Sequence, residues 1–125
     1  EYAVTMLNVS HLIVMGHSSC GGVQGCIDMC RGEAPELEDK HSFVGRWMDI
    51  LRPKYHLVAD EPDAHVMATQ LEKHSVLTSL DNLMTFPFLR SRVEADRLTL
   101  HGLWLDIGEG VLEVYNPEVK AFLPV

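Results

Sequence analysis

Apolar positions follow two rhythms along the chain. Leu12-Ile13-Val14-Met15 is an unbroken apolar run that stops at Gly16. Apolar on both faces, it predicts a strand over 11–16 covered by helices above and below, with neighbouring strands along both edges. Ahead of it, Ala3, Val4 and Leu7 keep helical spacing, so residues 1–8 read as the last turns of a helix. No cap residue precedes that helix, which leads us to expect a segment upstream.

Helical spacing then dominates. Val23, Cys26, Ile27 and Cys30 predict a short helix from Gly22 to Cys30. Phe43, Val44, Trp47, Ile50 and Leu51 predict an amphipathic helix over 41–52, ended near Pro53. A longer helix is expected from about Asp63 to Thr85, with Asp60-Glu61-Pro62-Asp63 at its start and Pro87 closing it. Its Met67, Leu71, Val76, Leu77, Leu80 and Leu83 suit a core, and residues 88–95 add one or two turns.

Strand character returns at Leu98–Leu105. Asp106–Gly110 forms a turn, and Val111–Tyr115 alternates as an antiparallel partner ended by Asn116-Pro117. This order implies an α/β fold: a mostly parallel sheet with helices on both faces and an antiparallel C-terminal edge strand. Strands 11–16 and 98–105 are expected to be parallel, joined by a right-handed crossover containing the helices. Residues 1–125 form a single domain, from which at least one upstream strand is expected to be missing.

Charge narrows the function. Ten Lys and Arg stand against 18 Asp and Glu, a net charge of −8. With no basic cluster, nucleic acid and anionic membranes are set aside as partners. No apolar run approaches the ~20 residues of a membrane helix, and Glu1-Tyr2-Ala3-Val4 lacks the features of a secretory signal. The three cysteines, Cys20, Cys26 and Cys30, do not resemble a disulfide framework. A reducing, cytoplasmic setting is expected, with Cys26 and Cys30 as small apolar helix residues.

The chemistry gathers just past the first strand. In open α/β sheets ligands bind at the carboxyl ends of strands, and His17 and Cys20 lie there. Imidazole and thiolate three residues apart can converge on one Zn²⁺. Gly21 and Gly22 let the backbone approach a ligand and leave helix N-terminal N–H groups to face an anion. Alone, this pair is half a zinc site, and a loop histidine near a buried cysteine accounts for it as well. A Cys20 nucleophile assisted by His17 is a further reading. A zinc hydrolase is disfavoured by the absence of H-E-x-x-H. Elsewhere His101 reads as a core histidine, Asp106 as a turn stabiliser, and Trp47 and Trp104 as core or interface anchors.

The wider pattern resembles the β-class carbonic anhydrases. It is carried by Tyr2-Ala3-Val4 with Leu7, by Ile13-Val14-Met15-Gly16-His17-Ser18-Ser19-Cys20-Gly21-Gly22-Val23, by Trp47, Val76 and Leu80, and by Leu100-His101-Gly102 with Asp106 through Gly110. The resemblance implies reversible hydration of CO₂ to bicarbonate and a proton by a zinc-bound hydroxide. It makes His17 and Cys20 zinc ligands, with Gly21 and Gly22 receiving the bicarbonate. It also implies a homodimer or dimer of dimers. The family's further zinc-ligand cysteine, and the aspartate and arginine that follow it, have no counterpart in this sequence. Two expectations follow: a fragment of such an enzyme, or a catalytically inactive zinc-binding or interaction module built on its fold.

Overall fold

A computed structural model describes residues 1–125. Helix α1 (Tyr2–Thr5) leads into strand β1 (His11–His17), then helix α2 (Gly21–Arg31) and the short helix α3 (Phe43–Met48). A 3-10 segment at Arg52–Leu57 precedes α4 (Ala64–Leu83) and α5 (Pro87–Glu94). Strands β2 (Thr99–Asp106), β3 (Val111–Asn116) and β4 (Ala121–Pro124) close the chain.

The sheet runs in the order β1-β2-β3-β4. β1 and β2 are parallel, with His11 opposite Thr99 and His17 opposite Leu105, while β2/β3 and β3/β4 are antiparallel. The α/β class, the parallel pair and the antiparallel C-terminal strands are as expected. β4 is an addition to that expectation: it has four residues and ends in Pro124, too short for an alternating pattern and carrying the residue that belongs on an edge.

The long helix is held at both ends by identifiable chemistry. Asp63 caps α4 by accepting from the N–H groups of His65 and Val66. Those bonds hold its carboxyl below the usual carboxylate range. Pro87 does not merely end this helix; it occupies the first turn of α5, where its missing N–H costs nothing.

α4 packs across β1 and β2, and two glycines let it come close. A methyl group on Gly16 would stand 2.6 Å from Val76 Cγ2. One on Gly102 would stand 3.0 Å from Val76 Cγ1 and from Leu80 Cδ1. Val76 therefore seats in a trough that spans both strands. Lys73, one turn earlier, lies 4.5 Å from the Trp104 ring and pairs with Glu113 on β3 at 2.6 Å. The main core lies between α2, α4 and the 3-10 segment, around Ile27, Met67 and Leu71. A second cluster of Val4, Leu89 and Leu98 joins α1 to α5.

Two expectations about burial are corrected. β1 is an edge strand whose exposure alternates: Leu12, Val14 and Gly16 are half-buried, whereas Ile13 and Met15 are 58% and 55% exposed. Thr99 donates to the Ser10 carbonyl and Ser18 donates to that of Leu105. The ladder thus uses the even-numbered residues of β1, and the N–H and C=O groups of His11, Ile13, Met15 and His17 face the other edge. The second correction concerns residues 41–52. Only 43–48 are α-helical, and all of the apolar stripe except the buried Leu51 faces outward, with Phe43 85% and Trp47 64% exposed. Periodicity found the stripe but could not say what it packs against.

The glycine trough yields a direct test. Gly16→Ala should destabilise the fold by about 1–3 kcal/mol through overpacking, read from urea unfolding. Adding Val76→Ala should cost less in that variant than in the parent. Equal costs in both backgrounds would show that Val76 does not fill the trough.

Candidate metal centre

β1 delivers His17 to the carboxyl end of the sheet, and the turn after it must reverse into α2. Ser19 takes a left-handed conformation at φ 58° to make that reversal, unusual for a residue with a side chain. Ser18 is buried. Its N–H donates to the Leu105 carbonyl, and its hydroxyl accepts from the Ile107 N–H at 2.9 Å. Asp106 holds the facing turn by accepting from Gly108 and Glu109. Those bonds, the Glu109 N–H foremost, keep its carboxyl below the ordinary range. The turn-stabilising role expected of Asp106 is the one it has.

His17 has one nitrogen committed. Nδ1 lies 2.9 Å from the carbonyl oxygen of Ser18. A carbonyl can only accept, so Nδ1 carries the proton and the neutral ring has its lone pair on Nε2. That is how a metal-ligating histidine is commonly oriented. Cys20 occupies the N-cap of α2 without a side-chain capping bond, and its thiol is free and half-buried. Gly21 and Gly22 form the first turn of α2, and the first backbone bond into Cys20's carbonyl comes from Gln24. A side chain at Gly21 would meet open space, whereas one at Gly22 would press on Trp47. A cleft of about 270 Å³ adjoins Cys20, with Val23, Trp47, Met48 and Leu51 among its apolar walls and Ser75 and Thr78 of α4 opposite.

The feature that sequence reading missed is Glu72. This residue is 2% exposed. One carboxylate oxygen accepts from the Cys20 backbone N–H at 3.1 Å, the other from the Trp104 indole N–H at 3.1 Å. It pairs with no Lys, Arg or His. This buried carboxyl group lies against the backbone of a candidate metal ligand. The donor types suit zinc: an imidazole lone pair and a sulfur. They remain two ligands, since no third His, Cys, Asp or Glu gathers with them. Cys26 is buried within the core, where burial first and Cys30 second push its thiol up to about 12.

A family model described as carbonic anhydrase matches residues 1–112. The chain belongs to the β-class carbonic anhydrases. It is 34% identical over 123 residues to beta carbonic anhydrase 3 of Arabidopsis thaliana, an alignment covering 96% of this chain and 46% of that protein. Among solved structures, the β-carbonic anhydrase CcaA superposes with a TM-score of 0.87 at 27% identity, covering 100% of this chain and 55% of that one. A tetrameric β-carbonic anhydrase of the ascomycete Sordaria macrospora gives 0.74 at 27% identity, covering 91% and 56%. This β-class chain thus spans about half the length of these relatives.

Two outcomes are expected from this geometry. A glutamine at position 72 has one acceptor oxygen for two N–H donors, so Glu72→Gln should cost about 1–3 kcal/mol in urea unfolding. Trp104→Phe removes one donor, so the two changes together should cost less than their sum. The second concerns acid. Burial, then Lys54, hold the His74 imidazole below its usual pKa. The unfolded chain takes up that proton near pH ~6.5, so this contribution is complete above pH ~6.5 and declines as pH falls through it. Unfolding midpoints at neutral and mildly acid pH should draw together in His74→Gln.

Proposed function

We propose that this chain is the zinc-binding core of a carbonic anhydrase that interconverts CO₂ with bicarbonate and a proton. The observation that carries this reading is the His17 loop of a β-class chain, with Nδ1 tied to a carbonyl, Nε2 left as a lone pair, and a free Cys20 thiol three residues on. His17 Nε2 and Cys20 Sγ hold the metal in this proposal. Zinc, when bound, supplies a Lewis acid that acidifies water at neutral pH.

The chain's own residues have separable tasks. Glu72 fixes the backbone of Cys20 and so the direction of its sulfur. Ser18, locked between Leu105 and Ile107, keeps the loop from rotating His17 away. The cleft walls of Val23, Trp47 and Leu51 suit a small molecule without net charge or dipole, such as CO₂. Gly21 and Gly22 stand at the positive end of α2, where N–H groups favour the anionic product.

The same proposal extends to what lies beyond residues 1–125. A further strand would add to the free edge of β1, bringing the third protein ligand and the acidic and basic partners of the reaction. The relatives' greater length and the unused backbone groups of His11, Ile13, Met15 and His17 support this. A homodimer or dimer of dimers belongs to it as well, supported by the outward apolar stripe of Phe43, Val44 and Trp47. No helix is long and apolar enough to cross a membrane. The free thiols of Cys20, Cys26 and Cys30 suit a reducing, cytoplasmic setting.

Cobalt substitution tests the metal site. The chain loaded with Co²⁺ should show a sulfur-to-metal charge-transfer band that Cys20→Ser abolishes and Cys26→Ser leaves intact. His17→Ala should weaken binding by more than the ~10–100-fold expected for losing an outer partner. In a longer protein containing this chain, Cys20→Ser should remove CO₂ hydration in a stopped-flow pH assay. Zinc bound without any such activity would instead favour the inactive zinc module.

A further inference from the structure

We propose that His11 and His101 form a second metal-binding site, for a borderline divalent cation such as Ni²⁺, Cu²⁺ or Zn²⁺. It lies at the far end of β1 from His17. The inference does not depend on the assignment of His17 and Cys20.

The two imidazoles come from neighbouring parallel strands. Ile13 lies opposite His101 in the register, so His11 and His101 are one diagonal step apart and project from the same side of the sheet. That side is opposite the α4 trough and is the one on which Ile13 and Met15 are exposed. His11 Nδ1 and His101 Nε2 stand 3.0 Å apart, with ring centroids at 5.2 Å and planes inclined by 40°. Neither ring has another hydrogen-bond partner, and neither joins an ion pair.

The spacing matches what one ion requires. With metal–nitrogen bonds of about 2.0–2.1 Å, two adjacent ligand nitrogens are separated by about 2.9 Å at a right angle and about 3.3 Å at the tetrahedral angle. The observed 3.0 Å falls between these values. Nitrogen donors of this kind suit Ni²⁺, Cu²⁺ and Zn²⁺. Both residues sit on paired strands, so their backbones are already fixed, and His11 is exposed enough for the ion to enter with water as its other ligands.

Proton bookkeeping closes for a pair of neutral rings. In the hydrogen-bonded pair one ring donates the single proton between the two nitrogens. On coordination that proton moves, through water, to the donor ring's other nitrogen, so His11 keeps Nε2–H and His101 keeps Nδ1–H. Both lone pairs then face the ion, and no net proton is released. The chain's net charge of −8 favours cations near its surface. His11 and His17 are six residues apart on β1, or about 20 Å at ~3.3 Å per residue, too far to share one ion.

The test uses Ni²⁺ alone with the Cys20→Ser chain, which removes the thiolate of the other site. Calorimetry should detect Ni²⁺ binding that His11→Asn or His101→Asn each weakens at least ~10-fold, the lower bound seen even for outer-shell losses. Paramagnetic Ni²⁺ should broaden the imidazole signals of His11 and His101 together, ahead of those of His41, His56, His65 and His74. His11→Asn alters an exposed strand end, so it carries the comparison even if His101→Asn disturbs folding, which circular dichroism reports. Ni²⁺ binding untouched by His11→Asn, or broadening that spares this pair, overturns the proposal.

Discussion

One buried carboxylate holds the loop, the long helix and the sheet in a common frame. Glu72 projects from α4 and accepts from the backbone of Cys20 and from the indole of Trp104 on β2. The three partners are distant in sequence and have no covalent reason to meet. Without the carboxylate, two N–H groups would be left in a region that water hardly reaches. With it, the last residue of the reversal, Cys20 ahead of α2, is referenced to the rigid pair of strands. Ser18 and the Asp106 turn do the same for the other half of that loop. His17 and Cys20 therefore stand on a scaffold assembled from both ends of the chain.

Close approach is what makes this possible. Gly16 and Gly102 remove side chains where α4 crosses the two strands, so Val76 drops into the sheet and Glu72, four residues earlier, reaches the loop. Lys73 on the same helix turn ties to β3 and lies over Trp104. A single crossing thus sets the helix height and the position of the carboxylate together. On the far side of β1, Ile13 and Met15 remain exposed.

Much of this architecture is legible in the sequence. Gly16 and the paired glycines bracket the turn, and Asp63 with Pro87 brackets α4, because backbone punctuation acts locally. His17 and Cys20 are legible less through their own spacing than through the block from Ile13 to Val23 that surrounds them. Glu72 is not, for within Gln70-Leu71-Glu72-Lys73 it looks like any solvated helix glutamate. Its role exists only through Trp104, 32 residues away. His101 reads as a core residue because its strand is apolar, yet its partner is His11, 90 residues earlier. The α3 stripe has the right period and the wrong destination, since periodicity encodes a face but not what covers it.

The pairing of β1 with β2 also shapes the route to the native state. His11 meets Thr99 only after the intervening helices have been traversed, so this contact is non-local in the sense that slows folding. During synthesis His17 and Cys20 leave the ribosome long before Glu72, Trp104 or Asp106. For that interval the two side chains are present as chemistry but absent as geometry. A nascent chain therefore exposes a loose imidazole and a loose thiol before the scaffold that orders them has formed.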